Sequence, residues 1–307
     1  MTIVSAALVR LWTVLFALAA CSAAAAQDAK QSPAGLRIFY TGHSFHMFVP
    51  QHMNLLVKAA GIEGHLEVGR QGIGGSRVIQ HWEKADDQNT AKQALLTGKV
   101  DVFTMAAHVL IPDEGITNFT ELGLKHNPNL RLLVQASWFP YDVPEPDKRI
   151  KPDTLDQRDS AKIADLQKAI DDWRKKLEAQ ADDLNKKHGK TCVFIVPVGD
   201  AVVKLRSLIV DGKYPGITKQ SLLFTDAIGH GTSPVQSLAS YCNYVAIYRH
   251  NPMGLKVPAI PETKDVAGKK DTPGVNDQQH AILQKIAWET VSEYPFAGIA
   301  AKAAATP

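Results

Sequence analysis

The chain is expected to fold as an α/β protein, with strands and helices alternating around an open parallel sheet. Three observations carry this. Short apolar runs such as Asp101 to Ala106 (DVFTMA), Asn129 to Gln135 (NLRLLVQ) and Thr191 to Pro197 (TCVFIVP) read as buried strands. Stretches with helical spacing lie between them. Gly and Pro punctuate the joins, as βαβ units require.

The 307 residues suit one large α/β domain, or two small ones, once a leader is removed. Formal charge is +3, from 34 basic and 31 acidic residues, with no basic stripe. That argues against a nucleic-acid partner. Residues 1–26 read as an export signal: Arg10 flanks the apolar run Leu11 to Ala20, which is too short to span a bilayer. Two processing readings stay open. One is cleavage among the alanines of 22–26, leaving a soluble periplasmic or secreted protein. The other is a lipobox, Leu18-Ala19-Ala20-Cys21, which would place a lipid anchor on Cys21 of an outer-membrane lipoprotein. Only Cys192 and Cys242 remain beyond the leader. Export permits a disulfide, but Cys192 lies in an apolar strand and Cys242 in an amphipathic helix, and both read as buried free thiols.

Residues 27–36 read as a linker, 37–296 as one domain and 297–307 as a flexible tail. In order, Ile38 to Thr41 is a strand. A glycine turn with Ser44 follows, then a helix from Pro50, whose missing N–H is harmless in a first turn, to Ala60. His65 to Val68 is a second strand. Gly69 to Ser76 is a glycine-rich loop opening a helix with Val78, Ile79 and Trp82. It matches neither the dinucleotide fingerprint nor the phosphate-binding loop, and no cofactor is expected. Thr90 to Thr97 and Asn118 to His126 read as helices around the Asp101 strand. Residues 139–157 form a long Pro- and charge-rich loop. Ser160 to Lys187 is the longest helix, with the apolar stripe Ile163, Leu166, Ile170, Trp173, Leu177 and Leu184. After the Thr191 strand come a helix through Ile209, a turn at Asp211-Gly212, and an irregular segment carrying Asp226 and His230. Ser233 and Pro234 start a helix to Tyr248. Residues 251–276 read as a loop, Gln278 to Ser292 as the last helix, and the chain from Tyr294 as a frayed end.

Serine attack on an ester needs a base, an acid that orients it, and donors for the oxyanion. The fitting set is Ser44 as nucleophile, His230 as base and Asp226 as orienter. The Ser44 N–H and a glycine N–H at Gly74 or Gly75 would be the donors. The elbow G-x-S-x-G of α/β-hydrolases is absent: the chain reads Gly42-His43-Ser44-Phe45-His46.

In these blocks the chain resembles the SGNH (GDSL-like) hydrolase superfamily, in a secreted bacterial branch of carbohydrate-esterase-like proteins. Gly42-His43-Ser44-Phe45 resembles the nucleophile block. Gly74-Gly75-Ser76 with His81-Trp82 resembles the glycine-donor block. Asn127-Pro128-Asn129 and Leu132 to Trp138 resemble the strand after a surface helix, and Asp226 with His230 the last block. The resemblance implies a flavodoxin-like three-layer α/β/α sandwich with a central parallel sheet. It also implies hydrolysis of short, often acetyl, esters on carbohydrates. Three departures stand out. Aspartate and histidine lie four apart instead of three. The polar amide expected after the central strand is replaced by Met105-Ala106-Ala107-His108, which makes His108 a candidate oxyanion donor. His43 and His46 flank the serine. Two other readings compete: a ligand-binding protein on the same fold, and a metal enzyme holding zinc through His43, His46 and His52. Trp138 reads equally as a sugar platform or as cover for the sheet edge.

Overall fold

Five short strands pair in parallel in the order β2-β1-β3-β4-β5: β1 is Arg37–Gly42, β2 Leu66–Gly72, β3 Val102–Ala106, β4 Arg131–Gln135 and β5 Val193–Val196. The structure is a computed structural model that describes residues 32–145, 154–264 and 271–299. The expected leader with Cys21, residues 146–153 of the long loop, and the residues from 300 lie outside the described residues.

All strands but the edge strand β2 are buried on both faces, so their side chains divide by a period of two. Ile38, Tyr40, Val102, Leu133, Phe194 and Val196 face one core. Helices α1 (Val49–Ala59), α6 (Val198–Val210), α7 (Ser233–Tyr248) and α8 (Asp277–Ser292) supply most of the rest of that core. Phe39, Phe103, Met105, Leu132, Val134, Val193 and Ile195 face the other core. There they meet α2 (Val78–Trp82), α3 (Thr90–Leu96), α4 (Glu114–His126) and α5 (Ile163–Lys187). The result is a three-layer α/β/α sandwich with the flavodoxin-like strand order. That order has its switch point between β1 and β3, where the crevice beyond the strands' carboxyl ends opens. Gly42 sits there because nothing larger fits: a Cβ on it would lie 2.8 Å from the Cβ of Ala106 on β3.

Several boundaries differ from the sequence expectation. Strand β2 runs on through Gly69 to Gly72, because pairing with β1 overrides the low strand propensity of glycine. Helix α4 starts four residues earlier than expected, at Glu114. The buried Asp113 carboxylate caps it through Gly115 N (2.9 Å) and also takes Val78 N and Ile79 N of α2, each at 2.9 Å. One side chain thus satisfies two helix N-termini. The long loop contains helical turns at Pro140–Asp142 and Leu155–Ser160. The 251–276 segment carries a small antiparallel pair, β6 (Thr263–Lys264) with β7 (Asp271–Thr272). The expected fraying from Tyr294 is not seen as far as residue 299. The Tyr294 hydroxyl donates to Glu178 (2.7 Å) and Ala297 is buried. Cys192 and Cys242 are free and buried. No helix among the described residues is long and apolar enough to cross a membrane.

Candidate active site

Ser44 is exposed on the turn after β1, while its neighbours His43, Phe45 and His46 are buried and hold the turn in place. His43 O accepts from His46 N (3.0 Å) and Met47 N (3.2 Å). The Phe45 N–H donates to His43 Nδ1 (3.2 Å), so His43 carries its proton on Nε2 and donates to Ala107 O (3.3 Å). That bond ties the end of β1 to the end of β3. Behind the turn, Gln135 at the end of β4 uses all its hydrogen-bonding capacity. Its amide donates to Phe45 O and Ser137 Oγ, both at 2.8 Å. Its carbonyl accepts from His46 Nδ1 (2.8 Å) and Asn243 Nδ2 (2.9 Å). A fully satisfied buried amide specifies one arrangement of the groups around it.

His230 reaches Ser44 from a loop 186 residues away: the Ser44 hydroxyl donates to Nε2 at 2.9 Å. The other ring nitrogen, Nδ1, donates to Asp226 Oδ2 at 2.6 Å. Asp226 Oδ1 accepts from Gly229 N (2.8 Å) and His230 N (3.1 Å). Burial pushes the Asp226 carboxyl up, but these hydrogen bonds outweigh it and hold the group below the usual carboxylate range. An ionised carboxylate can only accept, so the His230 proton sits on Nδ1 and Nε2 is free to receive another. The four-residue spacing is accommodated by Gly229, whose φ of +107° suits glycine alone.

The carbonyls of this loop are each held from behind. Trp138 Nε1 donates to Gly229 O (2.8 Å). Arg158 Nη2 donates to Ala227 O (3.1 Å) and Ile228 O (3.0 Å), and Tyr141 N also donates to Ile228 O (3.0 Å). Trp138 is only 4% exposed and stacks on Phe45 at 4.6 Å, and His230 sets its ring edge-on to Phe45 at 5.4 Å. Trp138 is therefore a packing and anchoring residue, not an open sugar platform.

Arg158 is buried and paired with Asp142, which also takes Arg206 Nη1 (2.7 Å) and Nη2 (2.8 Å). Tyr141 and Asp142 adopt φ of +55° and +59°, costly for non-glycine residues and held by this cluster. Asp142→Asn leaves two buried guanidiniums short of a countercharge. It is expected to destabilise the fold by about 3–5 kcal/mol, read as a drop in the urea midpoint. An unchanged midpoint would mean that the cluster does not brace the loop.

The expected oxyanion donors are placed as follows. The Ser44, Gly74 and Gly75 N–H groups have no acceptor among the described residues. Gly75 lines the cavity beside Ser44; Gly74 does not. The loop they occupy is anchored through His81. Its Nε2 donates to Ser76 Oγ (2.8 Å) and its Nδ1 accepts from the Thr41 hydroxyl (3.0 Å). His108 also lines the cavity. Its Nδ1 accepts from Leu110 N (3.2 Å), which leaves the proton on Nε2, the tautomer a donor needs. Burial lowers its pKa and keeps the ring neutral.

The zinc reading is corrected by the same contacts. Both ring nitrogens of His43 and of His46 are spent on protein groups, His46 Nε2 on the Thr104 hydroxyl at 2.9 Å. Among the described residues no group of three His, Cys, Asp or Glu is arranged for a metal. The sequence reading passed over Gln135, Asn243, Asp142 and Arg158. Gln135 had a signal, a lone amide ending an apolar strand; Arg158, in a charged loop, had none.

No family model matches the chain, and no curated protein matches it. Among solved structures, a DUF4886 family protein from Bacteroides uniformis aligns with a TM-score of 0.51 at 14% identity, covering 85% of this chain and 96% of that one. The likeness is one of fold. A protein provisionally named a GDSL-like lipase, from Parabacteroides merdae, aligns at 0.40 and 13% identity over 69% of this chain and 94% of its own. One provisionally named an SGNH hydrolase, from Slackia heliotrinireducens, aligns at 0.39 and 16% identity over 68% and 97%. Scores this low carry no argument about chemistry, which rests on the side chains above.

Proposed function

We propose that this protein is a serine esterase that removes a short acyl group from an alcohol through Ser44, His230 and Asp226. The observation that carries the reading is the unbroken hydrogen-bond line from Ser44 Oγ through the His230 ring to Asp226. His230 Nε2 takes the Ser44 proton as Oγ attacks the ester carbonyl carbon. The carbonyl oxygen becomes an oxyanion facing the N–H groups of Ser44 and Gly74 or Gly75, with His108 Nε2–H as a further donor. Removing one such donor typically costs about 3 kcal/mol of transition-state stabilisation. Collapse expels the alcohol oxygen, which receives the proton from His230. Water then gives a proton to His230 and attacks acyl-Ser44, and His230 returns that proton to Ser44 Oγ as the acid leaves. Asp226 stays ionised and fixes the tautomer throughout.

The His230 side chain is 37% exposed, so the alcohol side is open to solvent and accepts a bulky polar alcohol such as a sugar. The leader-like residues 1–26 support a place outside the cytoplasm, with lipidation at Cys21 or cleavage after it both open.

Hydrolysis of p-nitrophenyl esters tests the reading. Ser44→Ala and His230→Ala are each expected to lower kcat by about 10⁵- to 10⁶-fold. A fluorophosphonate should add its mass to Ser44 alone. Activity that survives in Ser44→Ala defeats the mechanism and favours a binding protein on this fold.

A further inference from the structure

The cavity beside Ser44 has a chemistry of its own. Its walls are Ala107, Val109, Trp138, Phe139, Trp173 and Ile228, and no Asp, Glu, Lys or Arg among the described residues lines it. Trp173 comes from the apolar stripe of α5 and is fixed by its Nε1 donating to Val109 O at 2.9 Å. Ile228 stands on the rim, 39% exposed. Beyond Ser44 and the His108 donor assigned to the oxyanion, the polar side chains on its wall are His43 and Ser137, which are engaged with Ala107 O and Gln135, so a sugar hydroxyl placed against the apolar walls would lose water without gaining a partner.

The position of the imidazole decides which part of an ester enters. The leaving oxygen must take its proton from His230, so the alcohol lies on the imidazole side. His230 does not line the cavity, whereas Ser44 and Gly75 do. The cavity is thus left for the acyl chain. Its volume is about 90 Å³. A closed apolar cavity of about 150 Å³ holds the six carbons of benzene, or roughly 25 Å³ per carbon. On that scale the cavity takes about three carbons beyond the carbonyl. An acetyl group would supply one and leave apolar wall uncovered.

We infer that the cavity beside Ser44 is an acyl pocket selective for uncharged aliphatic acyl groups of about four carbons, with Val109, Trp173 and Ile228 setting its length. This rests on the esterase reading and names the acid half of its substrate.

The test is a chain-length series of p-nitrophenyl esters, from acetyl through butyryl and hexanoyl to decanoyl, with Ser44→Ala as the control. Wild type is expected to gain about fourfold in kcat/KM per methylene up to butyryl, and to lose activity by decanoyl. Val109→Phe fills the pocket and should return the preference to acetyl, with at least a tenfold loss on butyryl. Ile228→Ala, on the exposed rim, should move the optimum to hexanoyl. Should Val109→Phe fail to fold, the Ile228 variant decides. Ser44-dependent hydrolysis that is best on acetyl, or an optimum unmoved by a folded variant, overturns the acyl pocket and leaves the esterase standing. An absence of Ser44-dependent hydrolysis on every ester removes both.

Discussion

Asp226→Asn is expected to lower kcat by about 10⁴-fold while leaving the fold intact. The asparagine carbonyl can still accept from Gly229 N and His230 N, the bonds that shape the loop. Its amide, however, would face His230 Nδ1, where Asp226 Oδ2 now accepts at 2.6 Å. Two donors cannot share that position. The imidazole would therefore move its proton to Nε2 and present a donor, not an acceptor, to the Ser44 hydroxyl. The same exchange in a serine protease costs about 10⁴ in kcat for this reason. Circular dichroism and the urea midpoint should match wild type, and the loss should fall on kcat more than on KM. A loss below tenfold would mean that Asp226 shapes a turn and nothing more.

The second large effect is on stability. The rings of His43, His46 and His81 are buried, and burial pushes each pKa down to about 4 by penalising the charged form. The unfolded chain takes up these protons near pH 6.5, before the folded chain does. Stability from these rings is thus complete above about pH 6.5 and is lost progressively as pH falls toward 4. At pH 4 each ring amounts to about 3 kcal/mol. Three together approach the whole stability of an ordinary domain, about 5–15 kcal/mol. The urea midpoint should fall steeply between pH 6.5 and 4.5, and less steeply in His46→Gln. A midpoint level across that range would show that the rings are hydrated or already charged in the folded state.

The rings also explain why this serine turn needs so many histidines. His43 joins β1 to the segment after β3, His46 joins the turn to Gln135 and Thr104, and His81 joins Thr41 to the glycine loop. Each makes a neutral two-ended link between elements that carry the proposed chemistry.

The sequence by itself determined the α/β class, most of the strands and the residues proposed for chemistry. Those features are local. A buried parallel strand is a short apolar run wherever it later pairs, as Thr191 to Pro197 illustrates. Asp226 and His230 stand four residues apart, so their meeting needs only a glycine-bearing turn. Tertiary structure decided the rest. Gln135 matters because it meets Phe45, His46, Ser137 and Asn243 together, and three of those four come from elsewhere in the chain. Arg158 braces carbonyls 69 and 70 residues away, and the acyl pocket is assembled from the ends of β3 and β4, the 226–230 loop and α5. Periodicity along a chain records which face of an element is buried. It does not record which distant face will cover it, and a polar side chain's role is set by the partner that burial supplies.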